Sequence, residues 1–155
     1  MKSRVFKISL IGLLSLFVLL FNPYKIVVVV GNSMYPTLKN GNVVLAKKTK
    51  DFRKGDIVIA KNDFQEIIIK RIAYMPKEYY YYLFIESHDD YRELIVDNSY
   101  HNISLFFDEY GNRKIQQHQV PIGQYYLLGD NLANSEDSRR FGSLESQNIL
   151  YKVIK

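Results

Sequence analysis

Ser33 closes a β-branched run in the turn Gly31-Asn32-Ser33-Met34-Tyr35-Pro36, with a glycine two residues before it and a proline three after. A serine on such a constrained turn exposes its hydroxyl while its own N–H can point outward to receive an oxyanion, the arrangement nucleophilic hydrolysis needs. Alone, the same pattern also describes an ordinary Gly/Asn turn. Lys70 supplies a partner. In Glu66-Ile67-Ile68-Ile69-Lys70-Arg71-Ile72, strand alternation places Ile68, Lys70 and Ile72 on one face. A lysine between isoleucines is poorly hydrated, which disfavours the ammonium and leaves an amine able to take a proton. The plainer reading is an edge-strand lysine that guards against aggregation. Arg71 falls on the opposite face and is expected to be structural. The third stretch, Gly129 to Gly142, is a dense polar loop of serines, carboxylates and arginines, suited to orienting a base.

Those side chains need a scaffold, and its signals are strand signals. Ile26–Val30, Asn42–Ala46, Asp56–Lys61, Ile67–Ile72, Tyr79–Glu86, Tyr125–Leu128 and Leu150–Ile154 are short β-branched or aromatic runs punctuated by Gly, Asn, Asp and Pro. The expected fold class is mostly β. Ser143–Leu150 is expected to add one short helical turn. Residues 77–118 are rich in Tyr, Asp, Glu and Asn and read as an irregular insertion of hairpins and loops. Within it, Tyr79–Tyr82 reads as a strand with two half-exposed faces, a ligand platform being the alternative.

The 155 residues are 47% apolar and 24% charged, ordinary globular values that exclude bulk disorder. The net charge of +5 is scattered, with no basic arm or recognition helix, so no nucleic-acid partner is expected. A solvated face or attraction to anionic lipid headgroups accounts for it. The absence of cysteine excludes disulfides, thiolate catalysis and cysteine zinc sites. His88, His101 and His118 match no metal-ligand spacing, and neither metal nor cofactor is expected.

Residues 8–24 are uncharged and mostly Leu, Ile, Phe and Val, with Lys2, Arg4 and Lys7 before them and Lys25 after. No small-x-small cleavage site follows. The segment reads as a retained transmembrane anchor, with residues 1–7 as a cytoplasmic tail and 25–155 as an extracytoplasmic catalytic domain. A cleaved signal peptide is the alternative.

GNSMYPTL, GDIVIAK, KRI and GDNLANSEDSRRFG, taken in that order behind an N-terminal anchor, resemble the successive boxes of bacterial type I signal peptidases, over roughly residues 5–76 and 120–155. The resemblance implies a β-barrel or sandwich catalytic core behind one transmembrane helix in the cell membrane. It also implies a serine endopeptidase that removes signal peptides from exported preproteins after small-x-small sites. By position it implies Ser33 as nucleophile and Lys70 as general base, with Ser135 hydrogen-bonding the lysine amine. Asp137 and Arg139 are implied as an ion pair supporting the loop, and Asp130 with Arg71 as a second structural pair. Val29, Val30, Met34, Leu38 and Ile68 are implied to line shallow apolar pockets that admit small side chains. One departure touches the chemistry: some relatives carry a serine at Gly31, whose hydroxyl is a second oxyanion donor. Another is Ala73-Tyr74-Met75-Pro76-Lys77-Glu78, where many relatives have a Gly-Leu-Pro-Gly-Asp turn. The rival readings are a non-catalytic relative acting as an assembly factor for surface structures, and a self-cleaving Ser–Lys repressor. The first is expected to have lost the serine or the lysine. The second needs an N-terminal helix-turn-helix.

Overall fold

The computed structural model describes residues 23–85, 92–95 and 113–154. The expected tail and the apolar segment up to Asn22 lie outside the described residues, as do His88 and His101. Among the described residues no helix is long and apolar enough to cross a membrane.

The core is one antiparallel sheet of seven strands: β1 (Tyr24–Val28), β2 (Val43–Lys47), β3 (Ile57–Lys61), β4 (Ile67–Tyr74), β8 (Gln124–Leu128), β9 (Leu144–Glu145) and β10 (Ile149–Ile154). Their spatial order is β1-β2-β10-β3-β4-β8-β9. The mostly β expectation holds. The sheet curls into a half-barrel and does not close, for β1 and β9 are both edges. β10, last in sequence, sits between β2 and β3 and so joins the two halves.

β3 shows why a core forms here. Ile57, Val58, Ile59 and Ala60 are all buried, because both faces of the sheet are covered at this strand. On one face Val58, Ala60, Ile72, Leu127, Leu144 and Ile149 pack with Phe52. On the other, Tyr74, Tyr126 and Leu128 pack with Tyr80 and Val120. A register shift between Ile72 and Tyr74 marks a bulge in β4 opposite β8, which re-aims the residues beyond it.

The strands of the insertion form a three-stranded antiparallel sheet: β5 (Tyr79–Ile85), β6 (Arg92–Ile95) and β7 (Arg113–Gln119), in the order β6-β5-β7. The tyrosine run is not evenly half-exposed. Tyr80 is buried, 4.4 Å from the Tyr126 ring, while Tyr79 is exposed.

Some boundaries differ from those expected. The first strand runs Tyr24–Val28 rather than Ile26–Val30, because its ladder with β2 pairs Tyr24 with Lys47 and Val28 with Val43. Tyr24 therefore belongs to the sheet and not to the apolar segment. The short helical turn expected within Ser143–Leu150 is a 3-10 turn at Ser146–Asn148, and Ile149 and Leu150 already lie in β10. A four-residue helix, α1 (Ser138–Phe141), stands inside the polar loop.

Candidate active site

The turn after β1 carries Ser33. Gly31 adopts φ +89°, in the left-handed region that favours glycine, and its N–H donates to Asn40 Oδ1 at 3.1 Å. Tyr35 N–H closes back onto Asn32 O at 3.1 Å, and Leu38 N–H onto Met34 O at 2.9 Å. The turn is tied across the molecule as well: Asn131 N–H donates to Ser33 O at 2.9 Å, and Asn131 Nδ2 to Asn32 O at 3.1 Å.

β4 brings Lys70 to this turn. The side chain is buried, only 4% exposed, and its Nζ donates to Ser33 Oγ at 2.7 Å. Ile72 beside it is fully buried and Ile68 half-buried. Burial pushes the Lys70 pKa below the ordinary 10.5, while the negative charges of Asp137 and Glu136 oppose that shift. Burial is the larger effect, so less alkaline conditions suffice to free the amine. A hydroxyl in contact with an amine that gives up its proton readily can act as a nucleophile.

The polar loop supports the site from behind. The Asp137 carboxylate is fully buried: Oδ2 accepts from Gly129 N–H at 3.0 Å, and Oδ1 from Arg139 Nε at 2.8 Å. It also caps α1 by accepting from Arg139 N–H at 3.3 Å. Ser138 Oγ accepts from Leu127 N–H at 2.9 Å. Two side-chain oxygens thus satisfy backbone donors of the β8 end that β9, which pairs only with Gln124 and Tyr125, does not reach. Arg139 reaches further, to Leu132 O at 2.6 Å.

Ser135 departs from its expected role. Its Oγ is buried and makes no hydrogen bond among the described residues, whereas the Lys70 amine bonds to Ser33. Ser135 lies against Gly129, so close that a Cβ built there would come within 2.1 Å of the hydroxyl oxygen. Arg71 and Asp130 form a bidentate pair at 2.8 and 2.6 Å, with Arg71 Nη1 also donating to Gly55 O at 2.7 Å. The hydrogen bonds that Arg71 donates to Asp130 raise its pKa further. A cavity of about 510 Å³ lies beside that pair, between Lys54, Tyr74, Leu128 and Leu132, and includes neither Ser33 nor Lys70.

The five residues expected to line pockets are not equivalent. Val29 and Met34 are buried in the core and offer almost no surface, and Leu38 and Ile68 are half-buried. Val30 is 86% exposed, because alternation turns it away from Val29. Sequence reasoning missed Asn131 and Gly129. Both stood inside the quoted box, but their roles are backbone contacts that residue type does not announce.

The sequence matches the model of the family described as signal peptidase, peptidase S26, over residues 2–154. Signal peptidase IB of Staphylococcus aureus (strain Mu50 / ATCC 700699) is 29% identical over 155 residues, covering 88% of this chain and 81% of the relative. Signal peptidase I V of Bacillus subtilis (strain 168) is 30% identical over 140 residues, covering 84% of this chain and 82% of the relative. With the family model spanning nearly every residue, this chain belongs to the S26 signal peptidase family.

Proposed function

We propose that this protein is a membrane-anchored serine endopeptidase that removes N-terminal signal peptides from exported preproteins after small-x-small sites. One observation carries the reading: the buried Lys70 amine meets the Ser33 hydroxyl at 2.7 Å. Ser33 is the nucleophile and Lys70 the general base. The neutral amine takes the hydroxyl proton along that contact, and Oγ attacks the scissile carbonyl. The Ser33 N–H receives the oxyanion. The proton passes to the leaving amine, and water then hydrolyses the acyl-enzyme with Lys70 again as base. Asp137 and Arg139 hold the loop behind the dyad, and Arg71 with Asp130 holds the far side of β4.

The β8 side of Ile67–Ile69 has no strand partner among the described residues, since β8 pairs with β4 only from Arg71 onward. An extended peptide adds there as a strand, ending at the serine. Ile68 and Leu38, both half-buried, supply apolar walls that exclude large side chains by clash. The apolar segment up to Asn22 forms the anchor, residues 1–7 stay in the cytoplasm and the catalytic domain lies outside. Enzyme and bilayer-bound preprotein then share one plane, which raises their effective concentration.

The test is incubation of the purified full chain in detergent with a small panel of preproteins, with N-terminal mapping of the products beside a Ser33→Ala control. New N-termini directly after small-x-small sites, made by wild type and not by Ser33→Ala, are expected. Equal products from both proteins, or none from wild type, sink the proposal.

A further inference from the structure

The Asn32–Ser33 peptide unit has its carbonyl and its N–H engaged very differently. Its carbonyl oxygen accepts two hydrogen bonds, from Tyr35 N–H and from Asn131 Nδ2, both at 3.1 Å. Its N–H, which belongs to Ser33, has no acceptor among the described residues. The next peptide unit is held by the same residue, Asn131 N–H donating to Ser33 O at 2.9 Å. Asn131 therefore grips both peptide units that flank the serine, from a loop about a hundred residues away in sequence.

Donors on a peptide carbonyl draw electron density toward the oxygen and make the N–H of the same unit a stronger donor. They also fix the plane of the unit, and with it the direction of the N–H. We infer that Asn131 is a positioning residue that aims and polarises the Ser33 N–H for the oxyanion. The inference rests on the Ser33–Lys70 reading above. It matters more in this chain because Gly31 has no hydroxyl to serve as a further donor.

Two variants remove the side-chain donor while keeping the backbone bond: Asn131→Ala, and Asn131→Leu, which keeps the branched shape. Both are assayed on a preprotein and examined by 15N NMR at the Ser33 amide. The expected result is a roughly 10-fold lower kcat, less than deletion of an oxyanion donor costs, with KM and the pH midpoint unchanged. The Ser33 amide nitrogen resonance moves upfield as its carbonyl loses a donor. Wild-type kcat in both variants overturns the inference. So does a loss shared by kcat and KM with an unmoved Ser33 resonance, or failure of both variants to fold, since each makes Asn131 merely structural. A wild-type protein that cleaves nothing defeats the dyad reading instead, and the Ser33 resonance still reports whether Asn131 polarises that peptide.

Discussion

A Cβ added at Gly129 would lie 2.1 Å from Ser135 Oγ and 2.6 Å from the Ser33 carbonyl oxygen, so three segments meet where only a glycine fits. Its backbone is not in the left-handed region, and the requirement is one of space. Gly129→Ala must push either the nucleophile turn or the Ser135 segment aside. We expect a loss of roughly 1–3 kcal/mol in urea denaturation. Cleavage falls by more than that destabilisation alone explains, as displacing a reacting group by ~1 Å costs ~100-fold. Unchanged kcat would show that the turn is free to move.

Lys70 sets a pH dependence whose sign follows from burial. Its pKa in the folded chain lies below 10.5, so between that folded value and 10.5 the unfolded chain binds more protons and stability rises with pH. Lys70→Met should flatten that rise in denaturation curves taken across the window, and should abolish cleavage. On the proposed mechanism, wild-type activity is expected to increase with pH up to a midpoint under 10.5, where the amine becomes neutral. A Lys70→Met protein with the wild-type stability slope would assign the titration elsewhere.

Asp137 has a fully buried side chain, whereas that of Arg139 is 21% exposed, so removing the arginine strands a charge inside the protein. Arg139→Leu is expected to cost about 3–5 kcal/mol by chemical denaturation. Adding Asp137→Asn to it should return part of that loss, since the stranded charge is then gone. Strictly additive losses in the double variant would mean that the two residues stabilise the loop independently.

Substrate selection separates the apolar residues near the serine. Met34 is 1% exposed, and Met34→Ala acts on stability, by about 2–5 kcal/mol. Ile68 is half-buried, and Ile68→Ala opens room beside the dyad without stranding a polar group. For preproteins with valine in place of alanine before the cut, kcat/KM should rise at least ~10-fold relative to the alanine substrate. An unaltered ratio removes Ile68 from the pocket wall.

Gly31 offers a direct test of the missing hydroxyl. Its φ of +89° strains any L-residue, although a Cβ there meets nothing within 4 Å. Gly31→Ser is therefore expected to lower stability by about 1–3 kcal/mol without crowding its neighbours. A thermal midpoint at or above the wild-type value would show that the turn relaxes to accept it.

The strand pattern around Lys70 was legible because alternation is local: Lys70 and Ile72 share a face of β4 and are both buried. The first strand was displaced by two residues, since five consecutive apolar residues carry no mark of where the ladder with β2 stops. α1 was not legible at all. It is four residues long, and its cap, Asp137, is fixed by Gly129 N–H and the Arg139 guanidinium rather than by any amphipathic period. Likeness to a family suggested a bond between Ser135 and Lys70, but the Ser135 hydroxyl lies against Gly129 and has no partner among the described residues. Val30 reads as apolar and therefore as pocket lining, yet it stands almost wholly in the open.

The place of β10 has a consequence for timing. Among the described strands it is the one whose ladders join the half of the sheet that leads into the Ser33 turn to the half that holds Lys70. Without it, no continuous ladder would join the strands that carry the hydroxyl and the amine. On the proposed mechanism, hydrolytic competence is expected only once β10 has joined the sheet.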